Sequence, residues 1–221
     1  MSDPQYSSTV ENYVKQVFLL SEDAGSTVSM KDLVAVMEVA PGTVTAMMKT
    51  LSSESLVDYT PREGVRLTEQ GRQLALRLVR RHRLIELFLV NVLRLDWSDV
   101  HEEAEILEHA VSDKIVERMD ELLGRPRHGP HGKPIPDAEG NVEITAFEPL
   151  EQVPSGTKVR LAEIGEDDPE LLRLVVERGF GIGVECSVEH DPTAGTVTLS
   201  RDDGRTLTLG HKPARVIFVD R

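Results

Sequence analysis

Residues 124–142, GRPRHGPHGKPIPDAEGNV, are so dense in proline and glycine that no regular element reads through them. They divide the chain into two parts with different hydrophobic periods. Before them the apolar residues recur at helical spacing, apart from one hairpin. After about residue 146, strand-like runs TKVRLAEI, VECSVEH, TVTLSR, RTLTLG and ARVIFV surround one helix, PELLRLVVERG. Helices first and strands second predict a mainly α protein with a small β-barrel tail of about 75 residues.

The helical part has a readable order. Val10, Tyr13, Val14, Val17 and Phe18 place an amphipathic helix over residues 9–21. Ser29 is a plausible cap for a second helix, SMKDLVAV, and Pro41-Gly42 marks a turn before a third at 43–52, with Val44, Met47, Met48 and Leu51 inward. Two short strands then flank Pro61-Arg62-Glu63-Gly64. Helix, helix, turn, helix, hairpin is the order of a winged helix-turn-helix. A long helix opens at Thr68-Glu69 and runs to about 94. Ser98 is expected to cap the next, from about 99 to 122.

Composition sets limits. The 221 residues carry 38 acidic and 25 basic side chains, a net charge of −13, so bulk charge argues against a nucleic-acid partner. The distribution is uneven: residues 1–80 hold 10 acidic and 8 basic groups, residues 81–150 hold 15 and 8. The winged-helix segment is therefore the least acidic. No run approaches the roughly 20 apolar residues of a membrane span, the N-terminus lacks the pattern of a secretory signal, and the single cysteine, Cys186, excludes an internal disulfide framework. A cytoplasmic protein without membrane partners is expected.

The stretch VHEEAEILEHAVSDKI carries the chemistry. His101, Glu105, Glu108 and His109 fall at i, i+4, i+7 and i+8, on one helix face about 100° wide that continues through Ser112, Val116 and Met119. Glu103, Asp113 and Glu121 point away. Carboxylates and imidazoles converging on a partly buried face need a cation to satisfy them. Oxygen and nitrogen donors without thiolate favour Mn²⁺ or Fe²⁺, with Zn²⁺, Co²⁺ and Ni²⁺ able to compete in vitro. The preceding helix adds His82 and Glu86 at i and i+4. A Glu-rich exposed helix with an occasional histidine is common, so neither His101 nor His109 alone argues for a metal; the joint set behind a winged helix does. His128 and His131 fall in the Pro/Gly linker, where solvation is expected. Di-iron chemistry needs Glu-x-x-His motifs from two helices, a spacing absent here. No nucleophile triad, Gly-rich phosphate loop or zinc-protease motif appears, so an enzyme is not expected.

The segments VENYVKQVFLL, PGTVTAMMKTL, GVRLTEQG, RRHRLIELFL, VHEEAEILEHAVSD and GKPIP together resemble the diphtheria-toxin-repressor family of metal-dependent transcription regulators, iron- and manganese-dependent repressors included. The likeness spans essentially the whole chain. It implies a winged-helix domain (1–72), a helical dimerisation and metal-binding domain (73–145) and an SH3-like, FeoA-type domain (146–221). It also implies a homodimer that binds palindromic, double-stranded operator DNA when Mn²⁺ or Fe²⁺ is bound. Carried over by position, one metal site falls on Asn12, Glu105, Glu108 and His109, and a second on His82, Glu86 and His101, with Asp168 or Glu170 as barrel donors. Glu105 is manganese-like; Asn12 matches neither type, and Lys15 stands where manganese-type members carry a second carboxylate of the first helix.

On DNA the candidate contacts are Thr43, Thr45 and Lys49 of the recognition helix, Ala46 for thymine methyls, and Arg62 at the wing tip. Two other readings fit parts of the chain. One is a winged-helix regulator answering to a small organic effector; the other is a metal-trafficking protein that does not bind DNA.

Overall fold

The computed structural model describes residues 6–24, 27–143, 145–165 and 168–221. The chain divides into two compact units, residues 1–81 with 136–141, and residues 82–135 with 142–221.

In the first unit, helix α1 (Ser8–Ala24) packs on α2 (Met30–Met37), and α2 on α3 (Pro41–Ser53). Ser29 caps α2 by accepting from Asp32 N at 3.1 Å. Pro41 starts α3 at a position where a missing N–H costs nothing. Val14, Val17, Val44, Met48 and Leu51, inward by helical spacing, are buried, as is Leu33 of α2, whereas Met47 is only half-buried. Strands β1 (Val57–Thr60) and β2 (Gly64–Leu67) pair antiparallel, Thr60 opposite Gly64. Val28 bridges to Val65 on the other side of β2. Gly64 has φ +120°, and a Cβ there would lie 2.5 Å from Val28 O, so only glycine lets the wing lie flat on that segment. Helix α4 (Glu69–Asn91) begins in this unit, and its residues from His82 on belong to the second.

The second unit begins with the rest of α4. Where the sequence reads as one helix over 99–122, there are two, α5 (Val100–Leu107) and α6 (Asp113–Leu122). Glu108 closes α5, with its N–H donating to Ala104 O at 2.9 Å. Ser112 then takes extended dihedrals as the N-cap of α6, with Asp113 in the first turn. The Ser-Asp pair is a helix-start signal that the unbroken 3.6-residue period hides. Nor does Ser98 cap α5: Asp99 holds that position, and the Ser98 hydroxyl donates to Asp96 Oδ1 at 2.6 Å.

Past the helices, β3 (Glu148–Pro149), β4 (Lys158–Ile164), β5 (Glu185–Asp191), β6 (Thr196–Ser200), β7 (Thr206–Gly210) and β8 (Ile217–Asp220) form one antiparallel sheet in the order β3-β8-β4-β5-β6-β7. Alternate residues Val159 and Leu161 of β4, Cys186 and Val188 of β5, and Val197 and Leu199 of β6 point into one apolar core. Helix α7 (Pro169–Glu177) adds Leu171, Leu172 and Val175 to it. The expected helical part, wing and SH3-like β tail are all present.

The Pro/Gly segment is not a free linker. His128 bridges to Pro134, Gly129 N donates to Lys133 O at 2.8 Å, and Ile135 N donates to Arg127 O at 2.7 Å. This hairpin lies on β4: Ile164 N donates to His131 O at 3.0 Å. Gly132 has φ +90°, and a Cβ on it would meet Ala162 O at 2.0 Å. Any side chain at this position would prise the hairpin off the strand.

Candidate metal centre

Six of the expected donors converge within the second unit. His82 and Glu86 sit one turn apart on α4. His101 and Glu105 sit one turn apart on α5, and Glu108 and His109 stand at its C-terminal cap. His82 Nε2, Glu86 Oε1 and His101 Nδ1 form a triangle with edges of 3.1, 3.1 and 3.3 Å. Donors about 2.1 Å from a metal stand roughly 3.0 Å apart in an octahedron and roughly 3.4 Å in a tetrahedron. The triangle falls between the two, so these three side chains fit one face of a coordination shell. Glu86 is buried, and its second oxygen, Oε2, has no hydrogen-bond partner. A buried carboxylate oxygen left bare is costly unless a cation meets it.

The other nitrogen of the same imidazole serves a second group. His82 Nδ1 lies 2.6 Å from Glu108 Oε2 and 3.7 Å from Glu105 Oε1. Glu105 Oε1 is also 3.8 Å from His101 Nε2, and His109 Nε2 is 3.5 Å from Glu108 Oε1. His82 thus stands between the two sets of donors, one ring nitrogen toward each. Beside a bound cation His82 would keep its proton on Nδ1, donating a hydrogen bond to Glu108 Oε2 and turning the Nε2 lone pair toward the ion. Burial alone would push the Glu86 carboxyl up. The charge of His82, hydrogen bonds from His101 and His82, and the nearby His131 outweigh it and hold Glu86 well below the usual carboxylate range. Glu86 is therefore ionised and ready to ligate.

His131, read from the sequence as solvated, is buried. Its Nε2 lies 3.9 Å from Glu86 Oε1, and its ring stacks on Trp97 at 4.7 Å between centroids, tilted by 38°. A histidine flanked by prolines and glycines gives no periodic signal, and only the docking of the hairpin on β4 brings it in. The barrel donors are not brought in. Asp168 is exposed and caps α7, accepting from Leu171 N at 3.0 Å, and Glu170 is exposed in the first turn. Among the described residues, the donor groups within 4.8 Å of one another are His82, Glu86, His101 and His82, Glu105, Glu108. Asn12 is half-buried on α1, in the first unit.

In that unit Thr43, Ala46 and Lys49 lie on the exposed face of α3. Thr45 is half-buried, and its hydroxyl donates to Pro41 O at 2.9 Å, leaving it only acceptor capacity toward a base. Arg62 is exposed at the wing tip with φ +73°.

Three family models match in succession. Residues 5–65 match the iron dependent repressor N-terminal DNA binding domain, 68–137 the iron dependent repressor metal binding and dimerisation domain, and 148–221 the FeoA domain. The diphtheria toxin repressor of Corynebacterium diphtheriae is 30% identical over 224 residues, 96% of this chain and 96% of its own length. The chain belongs to the iron-dependent repressor family. The iron-dependent repressor IdeR of Mycobacterium leprae, another relative, is 29% identical over 225 residues, covering 96% of this chain and 97% of its own. A solved manganese-dependent transcriptional repressor in complex with manganese superposes with a TM-score of 0.88 at 37% identity, over 96% of this chain and 99% of that one. Iron and manganese are thus both metals of this family's repressors, and the histidine and carboxylate donors on α4 and α5 suit either.

Proposed function

We propose that the chain is a transcriptional repressor that binds a palindromic operator in double-stranded DNA as a homodimer when Mn²⁺ or Fe²⁺ fills the donor groups on α4 and α5, and so controls genes of metal homeostasis. The observation that carries this reading is the triangle of His82, Glu86 and His101, with the bare Glu86 Oε2 beside it. His82, Glu86 and His101 would hold one ion. Glu105, Glu108 and His109 would hold a second, with Asn12 as a further, neutral oxygen donor. Asp168 or Glu170 is proposed to reach the first site only if the α7 cap opens, since Asp168 is committed to Leu171 N.

A bound divalent ion supplies positive charge that draws the carboxylates together and offsets the chain's net charge of −13 near phosphate. The side chains do the rest. His82 orients Glu108 through Nδ1, and Asn12 is the oxygen donor that the first helix would contribute. Recognition helices held at fixed spacing in a dimer match two half-sites. Thr43, Lys49 and Arg62 suit phosphate, and Ala46 and the methyl of Thr45 suit thymine methyls. The exposed Ile106, Ile115 and Leu122 of α5 and α6 are the apolar surface we assign to the dimer. The protein is read as a regulator rather than an enzyme, working in the cytoplasm; no described helix is long and apolar enough to cross a membrane.

The test is a mobility shift on DNA upstream of the chain's own gene. Glu108→Gln and His109→Ala should abolish the stimulation of binding by Mn²⁺ while circular dichroism and dimer mass stay as in the wild type. A normal metal response in both variants would overturn the site assignment.

A further inference from the structure

Trp97 is the single tryptophan of the chain, and it stands where three parts of the second unit meet. It packs, partly buried, against the core of the sheet domain. Its Nε1 donates to Pro130 O at 3.0 Å, on the hairpin. Its ring stacks on His131, whose Nε2 is 3.9 Å from Glu86 Oε1. The segment around it is tied to α7 as well. Arg173 Nη2 donates to Asp99 Oδ1 at 2.8 Å and Nε to the buried Ser98 Oγ at 3.2 Å, at the start of the helix that carries His101.

His131 is consequently fixed twice, by its carbonyl on β4 and by its ring on Trp97. We propose that Trp97 and His131 are positioning residues for the donor triangle, so that the seating of the sheet domain and the metal affinity of His82, Glu86 and His101 are coupled. The inference rests on the metal-dependent reading above. It gives the FeoA-type domain a role that requires no ligand from Asp168 or Glu170. The Arg173–Asp99 pair is largely exposed and contributes little alone. The coupling runs chiefly through the apolar seat of Trp97 and its stack on His131. Groups that orient metal-binding side chains from outside typically change metal affinity 10- to 100-fold when lost.

The experiment uses the full chain, stripped by chelation and titrated with Zn²⁺, a closed-shell ion, with calorimetry and Trp97 emission followed together. The emission maximum should shift saturably, with the midpoint of one calorimetric site, and Glu86→Gln should remove the shift. Trp97→Ala should weaken that site about tenfold, and Trp97→Phe, which keeps the aromatic seat, should restore affinity to within about twofold. If Trp97→Ala does not fold, the emission of the wild type decides. Bound Zn²⁺ with a silent Trp97, or wild-type affinity in Trp97→Ala, would overturn the inference alone. No bound metal by calorimetry would overturn the metal-dependent reading itself, and the inference with it.

Discussion

The second unit contains two interiors built on opposite principles. Among the described residues, the core of the sheet domain, from Leu150 to Val219, is built of apolar side chains, and Cys186 is the one of them bearing a titratable group. The helical interior has small apolar clusters, Leu84, Leu87, Val116 and Ile135 in one and Ile85, Leu89, Val100 and Ala104 in the other, and the same elements bury His82, Glu86, Glu108 and His131. The first interior is stable by burial alone. The second keeps charged groups out of water and depends on what neutralises them. A ligand switch needs the second kind of interior, because only there does adding a cation change the balance between two arrangements.

Substitutions and ligands aimed at one interior test whether the two respond independently. The largest effect is expected from Ile217→Ala, at a fully buried site of β8 beside β4. It should cost about 2–5 kcal/mol in urea unfolding, and the donor groups should still take up metal in calorimetry under native conditions. Saturating metal should act on the other interior. At 100 times its dissociation constant, Mn²⁺ should stabilise the protein by about 2.7 kcal/mol, read as a rise in melting temperature that chelator reverses and that Glu86→Gln reduces. Gly132→Ala should cost on the order of 1–3 kcal/mol, from a positive φ and the clash with Ala162 O. It should also weaken metal binding, since it displaces His131.

The smallest effect is a reactivity. Burial pushes the Cys186 thiol up to about 11, against a lowering by Arg201. The thiolate is therefore scarce at pH 8, where alkylation should be slow with or without metal and fast in urea. A thiol that became reactive on chelation alone would mean that the sheet core loosens with the metal site and that the two interiors are not independent.

Much of the fold is legible in the sequence because its elements are amphipathic. The spacings of Val10 to Phe18 and Val44 to Leu51 name α1 and α3, and the alternation in VECSVEH and TVTLSR names β5 and β6. Local caps that cut a continuous pattern are harder to see: one apolar and ligand-bearing face runs from His101 to Met119, yet Ser112 breaks the helix beneath it. Most candidate donors are legible too, because i and i+4 pairs on neighbouring helices must share a face. His131 is not, since its position depends on a long-range docking that glycine at 132 permits and no local period records. Asp168 comes in as a donor only through the resemblance, and the sequence does not show that its carboxylate caps the start of α7. The sharing of His82 between two donor groups is likewise a product of packing. Spacing pairs it with Glu86, and only the approach of α5 to α4 brings Glu108 to its other nitrogen.

We propose that the buried donors on α4 and α5 act as a switch for DNA binding. The most direct measurement is operator affinity by fluorescence anisotropy, at one fixed salt concentration, on a single preparation first chelated and then loaded with Mn²⁺, with bound metal determined in parallel. Tight binding should appear only as the donor groups fill and vanish again with chelator. Equal affinity in the metal-free and metal-loaded protein would contradict it.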